Sequence, residues 1–150
     1  MKITNRLIAL AVLCAGIPAT VVAKDSEIVG SWALTVKVQN RTFTALSTLD
    51  KEHHVMNIDY APPGLFWPSS QVEVGYGSWT GQNGHYLISY KSQLPHHMTR
   101  VVRGTGTLTG PGVLIGNAEV TISDEDGRVV YAGTASILGT KAAPNLAASR

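Results

Sequence analysis

The chain has 150 residues, including 15 Gly, 7 Pro and a single Cys, and 15% of its side chains are charged. This length predicts one domain, and a hydrophobic content of 44% excludes a disordered protein. The formal net charge is +2, but Lys2 and Arg6 account for that excess, so the rest of the chain is near neutral. It therefore lacks the positive surface that non-specific nucleic-acid binding requires, and we expect no nucleic-acid partner.

The first 23 residues have the pattern of a secretory signal peptide. Lys2 and Arg6 precede an apolar run over 7–17, and cleavage is predicted between Ala23 and Lys24. The run is shorter than the roughly 20 apolar residues of a membrane-spanning helix, and no other stretch is long enough to form one. We therefore expect a periplasmic or extracellular protein with no integral membrane segment after cleavage. An uncleaved anchor is the alternative.

The only cysteine, Cys14, lies within this segment. Leu13 precedes it, whereas a bacterial lipoprotein signal places a small residue there. Cleavage leaves a chain without cysteine, so the mature domain is expected to have no disulfide, thiolate metal site or cysteine nucleophile. The hydrophobic core alone must therefore stabilise the mature domain.

Period-two alternation, broken by turn signals about every ten residues, runs through the rest of the chain, and no window has a helical period. The predicted strands are 28–39, 42–50, 54–60, 72–80, 85–91, 100–109, 113–123 and 128–140. We assign 24–141 to one β-domain and 142–150 to a disordered tail. The fold class is therefore all-β. Eight antiparallel strands with short links favour an up-and-down meander closed into a barrel, with an open sandwich as the alternative.

Very small side chains occupy the middle of the predicted inner face. They are Gly75, Gly77, Gly104, Gly106, Gly116, Ala118, Gly133 and Ala135. Two interpretations stay open, and both can hold together. Glycines let strands bend as a small barrel closes, and small side chains also leave volume that a ligand can occupy.

The triplet Gly30-Ser31-Trp32 opens the first predicted strand. A Gly-x-Trp at this place in an exported eight-stranded meander resembles the calycin superfamily, the lipocalins and their relatives, and also small secreted bacterial proteins of uncharacterised function. The resemblance implies a lipocalin-like barrel with Trp32 at its closed base and a basic side chain from the last strand across it. Lys141 is the candidate for that side chain, although the superfamily more often has Arg. The contact would be a cation–π interaction.

The fourth strand carries a second such triplet, Gly77-Ser78-Trp79, which we interpret as coincidence or as a packing equivalent of the first. Two orientations are open for this strand. One points Trp79 and Glu73 inward, which would bury a carboxylate beside glycine gaps. The other points Val72, Val74 and Tyr76 inward, and it is favoured because that face is more apolar.

No motif predicts a catalytic, metal or cofactor site. The histidine pairs His53-His54 and His96-His97, and the single His85, lack a carboxylate or cysteine at the spacing that usually completes a ligand set. Serine-nucleophile elbows and phosphate-binding loops are absent from the sequence. We therefore expect no metal and no cofactor.

An apolar loop over 62–68 contains Leu65, Phe66 and Trp67 among its prolines. It is expected either to plug one barrel end or to contact a ligand or partner. Our first hypothesis is an exported lipocalin-like barrel that binds a small, mostly apolar molecule. The ligand-binding candidates are Trp67, Trp79, Tyr131, Tyr76 and Glu73.

Two alternatives rank lower. A small-barrel cyclase or isomerase would use Glu73, Tyr76 or Tyr131 as acid or base, although the sequence shows no catalytic signature. A protein-interaction module would act through the 62–68 loop.

Overall fold

A computed structural model of the protein describes residues 27–61 and 71–142. The predicted signal peptide, the 62–68 loop and all of the predicted tail except Ala142 lie outside the described residues. The strands are β1 (Gly30–Val38), β2 (Arg41–Leu49), β3 (His54–Ala61), β4 (Gln71–Gln82), β5 (His85–Gln93), β6 (Thr99–Gly110), β7 (Val113–Ser123) and β8 (Val129–Lys141). Between residues 27 and 142, leaving aside 62–70, no helix has the length and apolarity to cross a bilayer.

The eight strands form a closed antiparallel barrel in chain order. Each strand pairs with its neighbours in sequence, and β1 completes the ring by pairing with β8, from Trp32 opposite Lys141 to Val38 opposite Ala135. The all-β, eight-stranded up-and-down barrel predicted from the sequence is confirmed, and the sandwich alternative is wrong. Closure pairs both edges of the sheet, which removes the unpaired strand edges that an open meander would expose.

Local turn chemistry explains the short connections. Asn83 and Gly84 join β4 to β5 with φ angles of 55° and 80°. A two-residue hairpin needs two left-handed residues in succession, which Asn followed by Gly supplies at little steric penalty. The hairpin predicted from the Asn-Gly pair is confirmed.

Alternate residues of each strand point into the barrel, because successive side chains of a strand face opposite ways. The inner face predicted for β1 is confirmed, with Ile28 and Trp32 fully buried and Val38 nearly so. The inner faces predicted for β6, β7 and β8 are confirmed as well, except that Val129, at the start of β8, is exposed.

One end of the barrel, here called the base, is closed by two tryptophans. The indole N–H of Trp32 donates to the carbonyl of Ile28 at 2.7 Å, and that of Trp79 donates to the carbonyl of Asp50 at 3.0 Å. Both rings belong to one apolar cluster with Leu49 and Val55. The two Gly-Ser-Trp triplets are thus packing equivalents that close the same end.

The predicted stack at the base is confirmed. Nζ of Lys141 lies 5.6 Å from the centroid of the Trp32 ring, within the range of a cation–π contact. The same ammonium donates a 2.6 Å hydrogen bond to the carbonyl of Glu27. Lys141 therefore holds the end of β8 against the base.

The orientation favoured for β4 is wrong. Val72, Val74 and Tyr76 lie on the outer face, where Tyr76 is 65% exposed, while Glu73 and Trp79 are buried. The outer side chains pack across the strand pair β3–β4, since Tyr76 is opposite Met56 and Val74 is opposite Ile58. The apolar outer side of β4 lies beside that of β3, and Glu73 pairs with Arg100 inside the barrel.

Candidate functional site

The barrel interior contains an apolar cavity of about 60 Å³. Strands β1 and β2 contribute its wall through Leu34, Val36 and Phe43, and β5 contributes Ile88. The opposite wall consists mostly of small residues. Those are Gly104, Gly106, Gly116, Ala118 and Ala135. The cavity therefore lies at the level where the sequence places its smallest inner side chains.

The glycines in this barrel are of two kinds. At Gly77 an added Cβ would lie 1.9 Å from the carbonyl oxygen of Ser89, and at Gly116 it would lie 2.3 Å from that of Thr105. Those two positions require glycine for close approach of backbones. At Gly104 the nearest atom would be 3.4 Å away, so this glycine leaves space next to the cavity.

A buried polar cluster, formed by Asn57, Asp59, Glu73, Ser92 and Arg100, lies at the end of the barrel opposite the base, here called the polar end. All five side chains are less than 5% exposed. They come from the ends of β3 and β5 and from the starts of β4 and β6, which the antiparallel order brings to one end. Of these five residues, Asn57, Asp59 and Arg100 also line the cavity.

Arg100 is the centre of this cluster. Its Nε donates to Oγ of Ser92 at 3.0 Å, and its Nη2 donates to Oδ2 of Asp59. Its Nη1 forms an ion pair with Oε2 of Glu73 at 2.7 Å. The other oxygen of Asp59, Oδ1, accepts a 2.9 Å hydrogen bond from the side-chain amide of Asn57. One guanidinium thus shares its charge between two carboxylates that are out of contact with water.

Burial and charge act in opposite directions on these groups. Burial alone would lower the pKa of Arg100, but the Asp59 and Glu73 carboxylates outweigh it and raise that pKa, so the guanidinium stays charged. Tyr90 borders the cluster, with its ring centroid 6.0 Å from Cζ of Arg100. Burial, followed by the negative charge of Asp59, raises the pKa of Tyr90. The phenol therefore stays neutral at physiological pH and can act as a hydrogen-bond donor.

The structure separates the residues predicted as ligand-binding. Glu73 belongs to the polar cluster, and Tyr131 packs against the apolar core near the cavity. Trp79 lies in the base. Tyr76 lies on the outer surface, because the orientation favoured for β4 was wrong, and Trp67 lies outside the described residues. The candidate acid–base set of Glu73, Tyr76 and Tyr131 is therefore split between the two faces of the barrel.

Sequence reasoning missed Asp59, Tyr90 and Arg100. A signal for two of them existed, because Asp59 lies on the same strand face as Val55, and Arg100 lies on the same strand face as Val102 and Gly104. A carboxylate and an arginine on faces that are otherwise apolar or small indicate a buried ion pair.

The comparisons with known proteins extend the fold assignment. No family model and no curated protein matches the chain. A solved structure described as EF1p2_mFAP2b bound to DFHBI is 14% identical, with a TM-score of 0.58, and the match covers 78% of this chain and 95% of that one. A redesigned β-barrel, b11L5F_LGL, is 15% identical with a TM-score of 0.51, and covers 78% and 94%. At these identities the likeness shows the barrel fold alone.

Proposed function

We propose that this protein binds a small, mostly apolar molecule inside its barrel. The observation that carries the proposal is the apolar cavity bordered on one side by buried polar groups. Apolar walls supply affinity through burial, at roughly 25 cal/mol per Å², and a few fixed polar groups set orientation. A barrel of similar fold, EF1p2_mFAP2b, is bound to DFHBI, which supports this use of the architecture.

Cavity size limits the ligand. A volume of about 60 Å³ is less than half of the roughly 150 Å³ of an engineered cavity that takes up benzene in another protein. The interior as it stands therefore suits a molecule of a few heavy atoms. A larger ligand requires side chains that line the cavity, such as Leu34 or Ile88, to change rotamer.

An NMR titration tests binding directly. Small apolar probes such as isobutanol and cyclopentane are added to the labelled protein, and backbone amide shifts are followed. We expect the shifts to centre on residues 102–106 and 116–120. Gly104→Ala puts a methyl group at the cavity and should weaken binding several-fold, whereas Gly110→Ala on the same strand meets no atom within 4 Å and should leave binding unchanged. Shifts confined to the outer face, or equal affinity in both variants, would contradict the proposal.

We also propose that the protein is exported and related to the calycins. The signal pattern over 1–23 supports export, and the Trp32–Lys141 stack at the base supports the relationship. Intact mass of the protein recovered from the periplasm or medium tests export. A chain beginning at Lys24 is expected, and an uncleaved chain would contradict it.

A further inference from the structure

Six apolar or aromatic side chains lie together on the outer face of the strand pair β3–β4. They form three cross-strand pairs, Tyr60 with Val72, Ile58 with Val74 and Met56 with Tyr76. Ile58 is half-buried and the other five side chains are exposed. We propose that these six residues, here called the outer patch, form a homodimer interface, and that the surface which covers them is the outer patch of a second copy of this chain.

The two strands reverse the usual distribution of polar and apolar side chains. In β3, Asn57 and Asp59 point into the barrel and are buried, and in β4 the buried inner side chains include Glu73. A strand with one face in water ordinarily turns its apolar side to the core and its polar side to solvent. An apolar outer side on both strands therefore indicates that a second surface packs against this face.

Elsewhere on the described strands, large exposed apolar side chains occur singly or in pairs. Leu87 on β5 lies between two threonines, and Ile115 on β7 lies beside Leu138 on β8. Scattered apolar residues are normal on a protein surface, whereas a contiguous patch marks an interaction site. The outer patch is contiguous because its three pairs are successive rungs of one ladder.

The area of the outer patch suits a dimer. Tyr60 is 49% exposed and Val72 and Tyr76 are each 65% exposed. The six side chains together expose on the order of 500 Å², which is near the upper end for the largest patch of a monomer. A standard interface covers about 800 Å² of each partner and surrounds an apolar centre with a polar rim. The outer patch supplies such a centre.

Charge and polarity around the outer patch also fit a second copy. None of its six side chains is charged, so two copies that face each other bury no like charges. The flanking strands place Thr44 and Thr48 on one side and Lys91 on the other, which forms a polar rim. Tyrosine and methionine are enriched at the centres of protein interfaces, where charged residues are depleted.

The arrangement of large and small side chains is self-complementary. A closed barrel offers no strand edge to a second copy, so two copies must associate through a face. Tyr60 and Tyr76 occupy diagonal corners of the outer patch, and Val72 and Met56 occupy the other two. A two-fold axis between the facing sheets, along the strands or across them, therefore places each tyrosine opposite a valine or methionine of the other copy.

Sedimentation velocity tests the dimer. The protein is measured over about 1–200 µM, the range in which a weak interface of standard size dissociates. A reductant prevents linkage through Cys14. We expect a species of twice the chain mass, with a dissociation constant in the micromolar range or below. Amide shifts that accompany dilution of the labelled protein should centre on residues 54–60 and 72–78.

Two matched variants locate the interface. Tyr76→Glu introduces a charge into the outer patch and should weaken dimerisation at least tenfold. Leu87→Glu makes the same kind of change on the exposed outer face of β5 and should leave dimerisation unchanged. Circular dichroism checks that both variants fold. If Tyr76→Glu does not fold, Val72→Glu, near the start of β4, replaces it.

The outcomes are distinct. A dimer that Tyr76→Glu weakens and Leu87→Glu does not would support the inference. A monomer at every concentration would overturn it, and binding of that monomer to phosphatidylcholine–phosphatidylglycerol vesicles, lost in Tyr76→Glu, would assign the outer patch to a lipid surface. A dimer that both variants weaken equally, or that neither weakens, would place the interface elsewhere and overturn the inference as well.

Discussion

Nη1 of Arg100 lies 2.7 Å from Oε2 of Glu73 inside the barrel, and each of the two side chains is 3% exposed. An ion pair removed from water adds little net stability when it replaces apolar packing, but loss of one partner leaves an uncompensated charge. Burial of the Glu73 and Asp59 carboxylates therefore depends on Arg100.

Arg100→Met should lower the free energy of unfolding by about 3–5 kcal/mol at pH 7, because two buried carboxylates would then lie together without a cation. Urea unfolding followed by circular dichroism measures this loss. The triple variant Arg100→Met/Asp59→Asn/Glu73→Gln should regain most of the stability. A loss below about 1 kcal/mol in the single variant would contradict the role given to this pair.

Alanine substitution should have opposite effects on stability at the two kinds of glycine. Gly77→Ala places Cβ 1.9 Å from the backbone oxygen of Ser89, so β4 and β5 must separate, and we expect a loss of about 2 kcal/mol or more. Gly104→Ala meets nothing closer than 3.4 Å and should stabilise the fold by about 0.5–1 kcal/mol, because alanine loses less conformational entropy. Thermal and urea unfolding compare the pair, and equal effects at both sites would show that the assignment is wrong.

Lys141 should stabilise the base through its charge. Lys141→Met removes the charge but keeps the apolar stem over Trp32, and it should lower stability by about 0.5–1 kcal/mol, the usual range for an exposed cation–π contact. Lys141→Arg should retain most of the wild-type stability. If methionine and arginine give the same value, the ammonium contributes nothing beyond packing.

Tyr90 should make the fold sensitive to alkali. Its pKa is raised in the folded protein above the ordinary 10.0, so the folded state keeps the proton while the unfolded state loses it. Stability is therefore fully present below pH 10 and falls as the pH rises further, by about 1 kcal/mol between pH 10 and 11. Tyr90→Phe should lack this part of the decline. Urea unfolding of both proteins at pH 9, 10 and 11 provides the comparison, and parallel curves would contradict the prediction.

The fold was predictable because each local signal in this sequence agrees with the closed barrel. Alternation in β1, β6, β7 and β8 is regular, and the Asn83–Gly84 turn has one favoured geometry. The ends of the strands were predicted to within a few residues. Those patterns depend on near neighbours in the chain, which a sequence displays directly.

The site was less predictable because its decisive contacts join strands that are distant in sequence. The face of β4 was misassigned, since apolar content alone favours Val74 and Tyr76 as inner residues. What reverses the choice is Arg100, which comes from β6 and compensates Glu73. Neither residue reveals its partner until the register of the intervening strands is known.

The chain enters and leaves the barrel at the same end. The amide of Ala142 donates to the carbonyl of Ser31 at 2.8 Å, and Lys141 reaches Glu27, so the two extremities of the described domain are tied together beside Trp32. Asp59, Glu73 and Arg100 lie at the far end. A tether, fusion partner or immobilising tag joined at Glu27 or Ala142 would therefore hold the molecule by its base and leave the polar end turned away from the support.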